Sequence, residues 1–368
     1  NSLLHRDRQH PLPTSIPVTR LAESFASFFS GKIETLRLAF TNKSSNDPHY
    51  PPPQSTPPGF SWFSSASEDE VRKLVIDSPN KQCDLDPIPT WLLKECLHVL
   101  LPTITNIVNF SLSSGTFPAT FKQSSVNPLL KKPTADKENL SNYRPISNLS
   151  FLSKLTERIV KSRITKHLTE NSLLNPHQSA YTKHHSPKTV LLSVFDSLIT
   201  ADGSQQVSSC CLLDNTAAFD TIDHSILLAR LSSYFGITGT ALRWFKSYLS
   251  SRTFSVRCNT SSSLPRSSPY GVPQGSVLGP ILFILYTTPL SQLISSHSID
   301  HHLYADDTQL LISFTPKKFL VSISHLESVL HHISDWMSAN FLTLNPSKTE
   351  FLLFGLPKQL AKVVNPSL

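Results

Sequence analysis

Tyr304-Ala305-Asp306-Asp307 stands between two apolar runs, Ile299 to Tyr304 and Thr308 to Phe314, a pattern that reads as two strands joined at a tight turn. Two adjacent carboxylates on such a tip repel one another and raise each other's pKa unless positive charge lies beside them. Taken alone, Asp-Asp is an ordinary turn sequence. Leu212-Leu213-Asp214 changes that reading: it closes an apolar run that begins near Val207, and a strand end of this kind is where a third carboxylate joins the pair. Hard oxygen ligands suit magnesium, which keeps waters and substrate phosphates in its octahedron. Two such ions about 4 Å apart activate an attacking hydroxyl and stabilise a leaving group, and phosphoryl transfer asks little more of a protein than positioning and charge.

The 368 residues suffice for a large core and predict two or three subdomains. A first residue of Asn1 rather than Met predicts a piece of a longer, polyprotein-like chain. The net charge of +7 points to a polyanionic partner. Its distribution says more than its size, because residues 120–170 hold ten Lys and Arg against four Asp and Glu, most of the surplus. Five cysteines, Cys83, Cys96, Cys210, Cys211 and Cys258, lack metal-ligand spacing, and the odd count argues against a secreted disulfide framework, so a reducing, intracellular setting is expected. The doublets His184-His185, His301-His302 and His331-His332 are not at zinc spacing and are expected on the surface or in loops. The longest apolar run, Val277 to Tyr286, falls short of the roughly 20 residues a membrane span needs, and no signal peptide is visible, so no membrane partner is expected.

Periodicity predicts a helix over 21–40, a flexible Pro- and Ser-rich linker over 41–59, and a helix over 90–112 ended by Gly115. Residues 122–132 read as a strand carrying Lys131 and Lys132. Leu152, Leu155 and Ile159 mark the buried stripe of the next helix, with Lys154, Arg158, Lys161, Arg163 and Lys166 on its other faces, a candidate nucleic-acid backbone contact. One long helix over 224–249, interrupted near Gly236 to Gly239, precedes strands at 253–258 and 267–272. A Gly271-Val272-Pro273-Gln274-Gly275 turn opens an apolar helix from 277 to about 290. A helix over 319–340 follows, and residues 341–344 with 350–354 suggest a closing hairpin around Asn345-Pro346-Ser347-Lys348.

In this order the motifs resemble the reverse transcriptase of non-LTR, LINE-type retrotransposons of the jockey and chicken-repeat-like groups, over residues 83–355. Asn142-Tyr143-Arg144-Pro145-Ile146-Ser147 resembles the fingers motif, Leu213-Asp214 through Phe219-Asp220 the first palm motif, and Gly271 through Pro280 the glutamine-glycine motif. Tyr304-Ala305-Asp306-Asp307 resembles the signature tetrad, and Leu344-Asn345 with Lys348-Thr349-Glu350 the last palm motif. The resemblance implies an α+β right-hand polymerase with fingers and palm, an antiparallel palm sheet packed on helices, and a thumb largely missing. The implied divisions are an N-terminal extension over 1–82, fingers over 83–206, palm over 207–345, and the palm's end and thumb's start over 346–368.

The same resemblance implies RNA-directed DNA polymerase activity, with an RNA template, a DNA primer and dNTPs as partners. Its cofactor would be two Mg2+ ions, for which Mn2+ could substitute. Asp214, Asp306 and Asp307 would be catalytic, with the Asn215 carbonyl also facing a metal. Arg144 and either Lys131 or Lys132 would grip the triphosphate, where a planar guanidinium fork suits phosphate oxygens. Phe219 would be the ring that excludes a 2′-hydroxyl, Gln274 and Gly275 would shape the floor by the templating base, and Lys348 would stand near the pyrophosphate. The chain departs from its relatives at Asn215-Thr216, where Leu-Ser is usual, and at Tyr181 through Lys188, where template contacts are implied. An endonuclease segment is not expected between Asn1 and the polymerase motifs. The competing expectation is a decayed copy that binds nucleic acid without catalysis. A nuclear location is expected of an active retrotransposition enzyme.

Overall fold

The computed structural model describes residues 12–41, 56–81, 83–182 and 185–363. In chain order the helices are α1 (Val18–Thr41), α2 (Glu68–Ile76), α3 (Thr90–Glu95), α4 (Leu97–Ser114), α5 (Phe151–Glu170), α6 (Pro187–Gly203), α7 (His224–Ser233), α8 (Gly239–Leu249), α9 (Gly279–Ser296), α10 (Phe319–Ala339) and α11 (Pro357–Leu360). The strands are β1 (Gln123–Leu130), β2 (Tyr143–Asn148), β3 (Val207–Leu213), β4 (Asn215–Thr216), β5 (Thr253–Cys258), β6 (Ser261–Ser262), β7 (Arg266–Ser267), β8 (Asp300–Tyr304), β9 (Asp307–Phe314), β10 (Thr343–Leu344) and β11 (Glu350–Phe354). The mixture of helix and sheet is that of an α+β protein. The described residues of Asn1–Thr35, Phe60–Ile164 and Thr238–Gly279 form one compact unit, and those of Leu36–Gly59, Thr165–Ile237 and Pro280–Leu368 form another.

The first unit is built on a sheet in the order β2-β1-β5-β6, with β7 also on β5. Strand β1 runs antiparallel to β2 and parallel to β5. Leu21, Phe25 and Phe29, one face of α1, close over Val126, Tyr143, Val256 and Cys258 of that sheet. A second apolar centre gathers Phe63, Phe117, Trp244 and Tyr248; Phe117 meets Trp244 edge-on at 5.3 Å, and the buried indole donates to Ser111 Oγ at 3.0 Å. Helix α4 stops at Gly115 because the chain there turns left-handed, with φ of +68°. A Cβ at that position would stand 2.9 Å from the Thr240 carbonyl oxygen.

The second unit carries an antiparallel sheet in the order β11-β3-β9-β8. Strand β3 is central and almost wholly buried, which accounts for its unbroken run of small and apolar side chains. Val207 and Phe314 pack with Phe319 and Ile323 of α10. A buried Arg230 on α7 donates to Tyr286 O and Asn340 Oδ1 and lies over the Tyr286 ring, tying α7, α9 and the end of α10 together. Among the described residues no helix is long and apolar enough to cross a membrane.

Several expectations need correction. Lys131 and Lys132 lie beyond the end of β1, in the turn that Pro133 enforces, rather than on the strand. The strand expected over 267–272 shrinks to the two residues of β7, because Pro269 and Pro273 remove ladder donors. The closing hairpin does not form: β10 pairs with β4, and β11 gains a longer ladder along buried β3. The helix expected over 90–112 breaks at Cys96 into α3 and α4. His301 is 5% exposed rather than on the surface, since it faces inward from β8 and bonds to Ser291 Oγ at 2.6 Å. His184 lies outside the described residues, whereas His331 and His332 are exposed on α10.

Candidate active site

The three carboxylates converge within the second unit by strand register. Leu213 closes β3 opposite Thr308, and Tyr304 faces Asp307 across the β8–β9 turn. Asp214 follows Leu213 directly at the end of β3 that lies beside the hairpin tip. The carboxylates' charges register on one another. Partial loss of hydration, then the negative charges of Asp306 and Asp214, push the Asp307 carboxyl above the usual range, while Lys348 pulls it down. Asn215 Nδ2 donates to the Asp306 carbonyl at 2.9 Å, so the residue after Asp214 is fastened to the hairpin tip.

The connection between β10 and β11 supplies the positive charge. Lys348 Nζ pairs with Asp214 Oδ2 at 2.9 Å, and Asn345 Nδ2 donates to the same oxygen at 3.3 Å. Asn345 N also donates to Asp214 O at 2.8 Å, extending the β4–β10 pairing by one bond. Sequence reading placed Lys348 near the site but missed Asn345, whose only signal is its place in the last palm motif. It also missed Gln178. This buried side chain accepts from Ala305 N at 3.1 Å and reaches Ala305 O at 3.4 Å, bracing a turn in which Ala305 has φ of +56°.

The donor set fits a hard cation. It comprises three carboxylates and the buried Asn215 Oδ1, an oxygen without a hydrogen-bond partner among the described residues. Among those residues, no three His, Cys, Asp or Glu side chains are gathered into a cage able to hold an ion by themselves. The ammonium of Lys348 balances Asp214 instead. Phe219 is half-buried and stacks on fully buried Phe283, with ring centroids 4.8 Å apart and planes at 28°.

The remaining candidates sit in the first unit. Arg144 lies on β2, is exposed, and has no side-chain partner among the described residues. Lys131 Nζ donates to Ser141 O at 2.8 Å, whereas Lys132 is exposed with no partner for its ammonium among the described residues. Gln274 and Gly275 form a turn docked on β2, with Ser147 N donating to Gln274 O at 2.7 Å. The basic face of α5 is partly spent on the fold: Arg163 makes two bonds to Glu70, and Arg158 donates to Ser78 Oγ.

Residues 130–364 match the family model described as reverse transcriptase (RNA-dependent DNA polymerase). The chain belongs to the reverse transcriptase family. Among curated relatives, a protein named "Probable RNA-directed DNA polymerase from transposon BS" of Drosophila melanogaster is 32% identical over 71% of this chain and 29% of its own length. The corresponding X-element protein is 28% identical over 79% of the chain and 32% of its length, and the jockey polymerase of the same fly is 27% identical over 80% and 32%. This reverse transcriptase chain therefore spans about a third of each of these relatives. The resemblance to LINE-type elements of the jockey group stands. The matched region includes Arg144, Asp214, Phe219, Gln274, the 304–307 tetrad and Lys348.

Proposed function

We propose that this chain is the polymerising part of a LINE-type reverse transcriptase, an RNA-directed DNA polymerase that adds deoxynucleotides to a DNA primer's 3′-hydroxyl on an RNA template. The observation that carries the reading is the convergence of Asp214 with the 306–307 hairpin and Lys348 at one end of an antiparallel sheet. Family membership and the named activity of the relatives support it. In this reading 83–206 are fingers, 207–345 palm, and 346–368 the palm's end and the thumb's start.

Asp214, Asp306 and Asp307, with Asn215, would hold two magnesium ions. When bound, these supply activation of the primer hydroxyl and neutralise charge on the leaving pyrophosphate. The protein's own residues do the rest. Arg144 and Lys132, both with uncommitted charge, bind the triphosphate, while Lys131 is engaged with the Ser141 carbonyl. Lys348, whose ammonium stands 2.9 Å from Asp214 Oδ2, is the protein's own positive charge for the leaving pyrophosphate. Gln274 and Gly275 form the floor under the templating base. Phe219, backed by Phe283, presents one ring face where a 2′-hydroxyl would have to fit.

Primer extension on an RNA template with dNTPs and Mg2+ tests the assignment. Asp306→Ala is expected to abolish incorporation, and activity equal to that of the unaltered chain would refute the reading. Phe219→Val is expected to admit ribonucleotides; unchanged sugar discrimination would strip Phe219 of that role.

A further inference from the structure

We propose that Glu157 is the positioning residue for the Pro273-Gln274-Gly275-Ser276 turn, an inference that rests on reading Gln274 and Gly275 as the floor of the nucleotide site. Glu157 lies on α5, is 0% exposed, and has no part in the chemistry assigned above. One of its oxygens accepts from Val277 N at 2.7 Å and Leu278 N at 3.1 Å, and the other accepts from Ser153 Oγ at 3.2 Å. Both amides follow the turn directly. The opposite side of the turn is held by β2, through the bond from Ser147 N to Gln274 O. Gly275, at φ of +118°, approaches Ser147 so closely that a Cβ would stand 2.6 Å from its carbonyl oxygen. Glu157 and Ser147 thus grip four residues from two directions, and Ser147 is three residues beyond Arg144 on the same strand.

A carboxylate is a costly way to fill this space. Burial drives the Glu157 carboxyl above its usual range, and the buried Arg252 nearby offsets only part of that. An apolar side chain would pack there at lower cost but would leave two amides unpaired. A glutamine would match the shape and keep one oxygen for the amides, but its NH2 meets Ser153 only if that hydroxyl turns from donor to acceptor, and the negative charge that strengthens all three bonds is lost. A carboxylate accepts from the two amides and the Ser153 hydroxyl with its own charge, and with no donor having to reverse its role. The tolerance this sets on Gln274 is what the expense maintains.

The test is steady-state primer extension by the full chain on a homopolymeric RNA template, with active sites titrated so that kcat refers to competent enzyme. Glu157→Gln is expected to raise the dNTP KM about tenfold, with kcat per active site within about twofold. A purely structural role would lower the active fraction and leave KM unmoved. Ser153→Ala, which removes one donor from the carboxylate, is expected to shift KM the same way by a smaller factor, and it decides the matter where Glu157→Gln fails to fold. Gln274→Ala tests the underlying reading separately, since an unchanged dNTP KM there would mean that the turn is not part of the nucleotide site. If Gln274→Ala raises KM while neither Glu157→Gln nor Ser153→Ala does, the positioning inference is overturned. If the inference holds, adding Glu157→Gln to Gln274→Ala raises KM no further, as expected of two changes acting through one contact.

Discussion

An alanine at φ of +56° is held against its preference, at a cost of about 1 kcal/mol or more, and Ala305 has this conformation beside Asp306. Gln178 accepts its amide from 127 residues earlier in the chain. Gln178→Ala should therefore cut incorporation by at least about tenfold through slackening of the tip, with little change in the folded fraction by circular dichroism. Glu138 is a second residue whose partners lie far away. The Ser15 hydroxyl and the Thr14 and Ser15 amides bind its carboxylate and lower its pKa to about 2. A carboxyl depressed on folding stabilises above its unfolded value of about 4.3, and that support fades as the pH falls through about 2. The melting temperature of Glu138→Gln should lie below that of the unaltered chain at pH 7, and the two should converge as the pH approaches 2. Asp214, Asp306 and Asp307 were legible in the sequence because chemistry and short motifs mark them. Gln178, Asn345 and Glu157 were not, because each works through a contact more than a hundred residues away.

At the level of elements, periodicity found what periodicity can find. Strand β5 and helices α1 and α10 lie where the apolar spacing puts them, and the β8–β9 hairpin follows from two apolar runs around an acidic turn. The two-residue strands β4, β7 and β10 are too short to carry a period, and the pairing of β10 with β4 joins segments more than a hundred residues apart. The expected closing hairpin failed for that reason: local spacing cannot say that the edge of β3 is a better partner than the neighbouring run. Caps are more legible. Gly115 ends α4 as its sequence suggested, and Gly115→Ala should destabilise by about 1–2 kcal/mol, since it forces a Cβ into a left-handed position against the Thr240 carbonyl. Equilibrium urea unfolding checks it through a lower midpoint at unchanged slope. The basic residues of α5 show the opposite limit, because a sequence lists charges but not that Arg163 is already matched by Glu70.

Across the whole molecule, two compact units each carry their own sheet and their own share of the candidate residues. Magnesium should stabilise the chain by mass action, by about 2.7 kcal/mol at a hundred times the dissociation constant. Thermal melts with and without Mg2+ should show a shift that Asp214→Asn abolishes; an equal shift in that variant would place the binding elsewhere. The units also differ in a way that labelling can read. Cys210 and Cys211 lie in β3 of one sheet and Cys258 in β5 of the other, all three free and buried, with burial pushing each thiol up to about 11. Few of these sulfurs are thiolates near pH 8, so iodoacetamide should leave them intact until their strand opens, while half-buried Cys96 reacts early. The protein therefore keeps time on its own unfolding. Peptide mass spectrometry of the alkylated chain will show matching rates at Cys210 and Cys258 if both sheets melt as one, and staggered rates if one half lets go first.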